Sequence, residues 1–166
     1  MGHIWLIGLM GSGKNAVGSV LAERAGLPFY DIDERVERIA GRTVSDIFFM
    51  DGEETFRTLE ADELRVVAEN PDGIVATGGG SVLAEGNVAT MGDSGTVVLL
   101  EVTPETAAAR IGDDETRPLL GGDTLEMLSD IFADRAVAYR VAAELVVDGN
   151  DDVETVADRV ESACAM

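Results

Sequence analysis

The sequence predicts an α/β fold, a parallel sheet with helices on both faces, and three observations carry that prediction. Short aliphatic and β-branched runs alternate with longer stretches whose apolar residues recur three and four apart, as in repeated β-α units. Most of the short runs are apolar on both sides, the pattern of strands covered by helices above and below. Between the first run and the first periodic stretch lies "GLMGSGK", Gly8 to Lys14, which has the glycine spacing of a phosphate-binding loop. At 166 residues and 46% apolar content, the chain is expected to form a single domain, 1–166, around one sizeable core.

In chain order, strands are expected at about 3–8, 28–31, 74–77, 96–101 and 144–147. Helices are expected at 13–25, 33–40, 44–49, 51–69, 104–111, 124–142 and 152–163. Gly26 suits the C-cap of the first helix, and Thr103-Pro104 reads as an N-cap followed by a first-turn proline. The segment "GDDETRPLLGGD", 112–123, breaks the rhythm with glycine, proline and charge. A loop of that length in a compact domain favours a lid over a ligand.

Charge narrows the function. With 32 acidic against 12 basic residues the net charge is −20, which argues against nucleic-acid and anionic-membrane partners. Eleven of the basic residues are arginines, and the single lysine is Lys14, in the glycine-rich loop. No apolar run approaches the roughly 18 residues of a spanning helix, and no leader pattern opens the chain. The lone Cys164 fits a reduced cytoplasm. The acidic, lysine-poor composition would also suit a salty one.

Four groups of residues can carry chemistry. In the phosphate loop, glycines let successive N–H groups turn toward one anion, the following helix adds its positive end, and Lys14 adds a full charge. In "YDIDERVE", Asp31 and Asp33 leave the end of the second strand. Two apart on extended chain, they would face the same crevice, one to organise the water shell of magnesium and one to take a hydroxyl proton. Gly78, Gly79 and Gly80 end a buried strand and would let a ligand lie against bare backbone. Arg57, Arg110, Arg117 and Arg135 are candidate anion contacts.

The ordered set "GLMGSGK", "DID", "DIFFMDGEETFRTLE", "TGGGSVL", "RPLL" and "DRAVAYR" resembles the shikimate kinases over nearly the whole chain. The resemblance implies a three-layer α/β/α P-loop kinase fold with a five-stranded parallel sheet of order 2-3-1-4-5, a substrate-binding helical region at about 33–61 and a lid at about 112–123. It implies transfer of the γ-phosphate of ATP to the 3-hydroxyl of shikimate, with Mg2+, in a cytoplasmic monomer. By position, Gly11, Ser12, Gly13, Lys14, Asn15 and Ala16 would hold the phosphates, and Arg110 would stack near adenine. Asp33 would bind hydroxyls and take the proton, Arg57 and Arg135 would grip the carboxylate, and Gly79 and Gly80 would lie against the ring. Arg117 would swing in with the lid to the transferring phosphoryl group. Asn15 and Asp31 would hold the metal.

Two features depart from that pattern. Asn15-Ala16 stands where the family carries hydroxyls, and "DGNDDVE", 148–154, is acidic near the expected adenine pocket. Asn15 keeps an amide oxygen, so weakened metal coordination is expected, not absent activity. The alternatives are a weakened or inactive nucleotide-binding relative, or a kinase for another small polyol acid such as gluconate.

Overall fold

The computed structural model describes residues 2–112 and 124–166. At its centre lies a parallel sheet of five strands: β1 (His3–Ile7), β2 (Phe29–Asp31), β3 (Ile74–Ala76), β4 (Gly95–Glu101) and β5 (Leu145–Asp148). They run in the order β2-β3-β1-β4-β5. Central β1 is flanked on both sides, Ile4 standing opposite Ile74 on one and Thr96 on the other, and every one of its residues is buried.

That strand alternates between two cores. Trp5 and Ile7 point into one with Val36, Phe56, Leu64 and Met91, while Ile4 and Leu6 point into the other with Val17, Leu21, Val156 and Val160. The second core is closed by α1 (Lys14–Ala25) and α8 (Val153–Cys164). The first is closed by α2 (Ile32–Ala40), α3 (Val44–Asp51), α4 (Glu53–Ala68), α5 (Glu85–Ser94), α6 (Pro104–Gly112) and α7 (Thr124–Ala142). Two covered faces explain why β1 has no polar stripe. Its one polar side chain, buried His3, accepts the Gly73 N–H at Nδ1 (3.1 Å).

Most helix ends follow the sequence signals. Gly26 ends α1 at φ 65°, the Thr103 hydroxyl accepts the Thr106 N–H at the start of α6, and Asp152 caps α8 through the Thr155 N–H (3.0 Å). The sequence reading differs from the structure in three places. Helix α3 runs on to Asp51, and α4 begins only after Gly52. A short 3-10 turn, Ser81–Leu83, and helix α5 occupy a stretch where no element was expected. The helix α2 begins at Ile32, so Asp31 is both the last strand residue and the cap, its Oδ1 accepting the Glu34 N–H at 3.2 Å.

All five strands point their carboxyl ends at one edge, and the chain leaves that edge through residues 8–13, 32–33, 77–80, 102–103 and 149–152. Ligands of parallel sheets bind there.

Candidate active site

The loop after β1 is shaped for an anion. Gly11 and Gly13 hold φ of 81° and 91°, and a Cβ on Gly11 would stand 2.8 Å from the Ala107 carbonyl oxygen, so only glycine fits. Lys14 is 92% buried. Its Nζ donates to the carbonyls of Gly8 (2.9 Å) and Leu9 (3.0 Å) and to Ser12 Oγ (3.3 Å), which folds the ammonium across the loop. Gly13 caps α1 without a side-chain hydrogen bond, and the first turn of α1 contains no acid. The other seven α-helices among the described residues all carry Asp or Glu in their first turn. In a chain with 32 acidic residues, the positive end of this one helix is left for an outside anion.

Arg110 ties this loop to the next one. Its Nη1 donates to the Ser12 carbonyl (3.1 Å) and more weakly to that of Gly11 (3.5 Å), and its Nη2 donates to the carbonyls of Gly149 (2.7 Å) and Asp151 (2.8 Å). The edge of the guanidinium thus clamps the phosphate loop to the acidic β5–α8 turn. That turn is internally satisfied. Asn150 donates its backbone N–H (3.0 Å) and side-chain amide (2.7 Å) to Asp148 Oδ1, and these bonds, with Arg159 nearby, hold the Asp148 carboxyl below its usual range. Arg159 also pairs with Asp151 at 2.5 Å.

Asn15 and Ala16, both exposed, open α1. The Asn15 Nδ2 donates to Asp31 Oδ2 at 2.5 Å, so the two expected metal contacts meet. Asn15 Oδ1 and the Asp31 carboxylate are both hard oxygen donors, a chemistry that suits magnesium. Among the described residues no cluster of three His, Cys, Asp or Glu could hold a metal ion.

Asp31 and Asp33 reach the crevice by a different geometry from the extended pair expected. Because the chain turns helical at Ile32, Asp31 stays on the strand end beside Asn15, and Asp33 sits on the first turn of α2. Asp33 Oδ1 would lie 3.1 Å from a Cβ on Gly78.

Gly78, Gly79 and Gly80 are the meeting point. Gly78 packs against Glu60 Oε1 and Asp33 Oδ1, Gly79 against Arg135 Nη1 and Met10 N, and Gly80 against the Arg57 guanidinium, where any Cβ would run into Nη2. The two arginines and the phosphate loop therefore all meet at the glycine run. Arg57 Nη1 donates to Glu60 Oε2 (2.8 Å), and Glu53 stands at 3.4 Å. Arg117, with the lid expectation beyond Gly112, lies outside the described residues.

Several polar residues of this centre were not singled out from sequence. Glu60 is fully buried, accepting from Ser81 Oγ (2.5 Å) as well as from Arg57, and the Asn87 amide donates to the Ser81 carbonyl (3.0 Å). Buried Tyr139 donates its hydroxyl to the Gly79 carbonyl (2.6 Å). A usable signal existed for two of them: Glu60 lies three residues from Arg57 and Tyr139 four from Arg135, each one helical turn away on the same face.

A phosphate cradle and two guanidinium groups that meet at one run of glycines make up a P-loop phosphotransferase acting on a small anionic acceptor. The family model for shikimate kinase matches residues 10–165, and the chain belongs to the shikimate kinase family. It is 46% identical over 146 residues to a shikimate kinase from Symbiobacterium thermophilum, covering 86% of this chain and 84% of that one. The solved shikimate kinase from Acinetobacter baumannii, in complex with shikimate, superposes with a TM-score of 0.90 at 33% identity, over 96% of this chain and 90% of that one. A gluconokinase from Sinorhizobium meliloti reaches a TM-score of 0.60 at 20% identity, over 99% of this chain and 91% of that one, a likeness of fold alone.

Proposed function

We infer that the protein transfers the γ-phosphate of ATP to the 3-hydroxyl of shikimate. The observation that carries this reading is that Arg135 Nη1 and the Met10 amide nitrogen of the phosphate loop both lie within 4 Å of the place a Cβ on Gly79 would take, so an anion-binding arginine and the phosphate loop meet at one glycine. Arg57 and Arg135 bind the acceptor carboxylate as planar forks. Asp33 accepts the proton of the attacking hydroxyl, whose oxygen bonds to the γ-phosphorus as the bond to the bridging oxygen of ADP breaks. The α1 amides hold the β- and γ-phosphates, Lys14 exchanges its carbonyl contacts for phosphate oxygens, and Arg117 adds charge to the transferring group. Gly11, Ser12, Gly13 and Ala16 complete the phosphate cradle, and Arg110 stacks near adenine. Bound Mg2+ would neutralise phosphate charge, with Asn15 and Asp31 as its protein contacts. The same reading takes the chain as a single domain working as a cytoplasmic monomer, with no nucleic-acid or membrane partner at a charge of −20.

Gluconate is disfavoured because that likeness ends at the fold. The test is ADP release with Mg·ATP, with and without shikimate, at low and high salt. Shikimate-dependent turnover is expected, and its absence at every salt and with every divalent metal would overturn the reading. Asn15→Ser, measured in parallel, is expected to lower the Mg2+ concentration for half-maximal rate by about threefold or more, of the order of one improved oxygen ligand. An unchanged or raised requirement would show that the asparagine does not weaken the metal site.

A further inference from the structure

We propose that Tyr139 is a positioning residue for the acceptor's carboxylate, holding Arg135 and the Gly79 backbone in one fixed relation. The proposal rests on the reading of Arg135 as a carboxylate contact, and its grounds lie in the geometry around the hydroxyl. Tyr139 stands one turn beyond Arg135 on α7, so both side chains leave the same face of that helix. The hydroxyl donates at 2.6 Å to the carbonyl of Gly79, the residue whose missing Cβ leaves Arg135 Nη1 and the Met10 amide nitrogen of the phosphate loop as its neighbours. Tyr139 is buried and lines a small crevice with Leu9, Leu100 and Val102.

The choice of group matters. A carboxylate beside Arg135 would fix its direction and also compete with the substrate for its charge. A phenol fixes direction without bringing a charge of its own. Burial pushes the Tyr139 hydroxyl up from its ordinary pKa, while the charges of Arg135 and Arg57 oppose that rise, so the group stays a neutral donor across the working range. Its single proton is committed to Gly79, and the charge of Arg135 acts on it from close by.

Tyr139→Phe keeps the ring and removes only the hydroxyl. The expected result is a shikimate KM and calorimetric Kd raised about tenfold, the scale of one lost charge-assisted contact, with kcat and the KM for ATP within about twofold. Shikimate methyl ester, which lacks the charge, is expected to bind parent and variant alike to within about twofold. In an Arg135→Ala background, Tyr139→Phe is expected to cost nothing further. An unchanged shikimate Kd with a lowered melting temperature would reduce Tyr139 to a structural role. Equal losses for the acid and its ester, or for ATP and shikimate, would equally overturn the assignment. Calorimetry reads binding without turnover, so an inactive parent chain would count against the phosphotransferase reading separately.

Discussion

Arg57 meets the glycine run so closely that the side chain at position 80 decides where its guanidinium can lie. Gly80 itself has φ −102° and ψ 2°, which any residue adopts, so its requirement is one of space and not of backbone. A methyl group there would strike Arg57 Nη2 and lie 2.7 Å from Cζ, atoms at the end of a flexible side chain that can swing away. Gly80→Ala is therefore expected to fold with a melting temperature within a few degrees of the parent while raising the shikimate KM about tenfold or more, as one of two carboxylate forks is displaced. Steady-state kinetics beside a thermal melt would check this. An unaltered KM would mean that Arg57 does not grip the acceptor. Behind Arg57 the buried chain Asn87–Ser81–Glu60 fixes it from the other side, each member hydrogen-bonded to the next.

At the scale of elements, α8 offers a clean titration. The Thr155 backbone N–H and hydroxyl both bond the Asp152 carboxylate and hold its pKa below the usual range. A lowered folded pKa means the cap stabilises fully above the unfolded value of about 3.9, and that contribution fades as pH falls through the folded value. Asparagine caps as well and does not titrate. Asp152→Asn should thus flatten the fall in melting temperature between about pH 5 and pH 2, and parallel slopes for the two proteins would refute the assignment.

The strands and most helices were legible because burial on two faces or one stripe writes itself into local sequence. Helix α5 was not. "EGNVATMGDS" holds two glycines, has no capping side chain before it, and buries only Asn87 and Met91, so tertiary packing supplies what propensity lacks. The phosphate loop, the two aspartates, the glycine run and the arginines were legible as types at fixed spacings. What escaped was the layer behind them. The partner of the Tyr139 hydroxyl is a backbone carbonyl 60 residues away, and no side-chain pattern records a carbonyl. The Asp31–Asp33 geometry was misjudged for a related reason: the capping role of Asp31 starts the helix one residue earlier than its spacing suggested.

For the whole molecule, charge is the dominant long-range term. A net −20 sets like charges facing one another over the surface, and local arrangements offset this only in places, such as Arg24, which holds Glu154, Asp158 and Glu161 of α8 against α1 at 2.5, 2.9 and 2.9 Å. Salt weakens exposed pairs of this kind, but it also screens the far more numerous repulsions, since the Debye length shrinks from about 30 Å at 0.01 M to about 3 Å at 1 M. With 32 acids to 12 bases the repulsive term is larger. Melting temperature is expected to climb by several degrees between about 0.01 and 1 M KCl in calorimetry. A decline over that range would mean that the ion pairs outweigh the surplus.

Lys14, folded onto its loop and the only lysine in the sequence, also makes this protein a one-amine molecule apart from its α-amino group. Reductive methylation with a carbon-13 reagent would put a single side-chain resonance on the atom that leaves the Gly8 and Leu9 carbonyls when a phosphate arrives. Nucleotide occupancy could then be followed at that one side-chain peak, the methylated α-amino group giving the other.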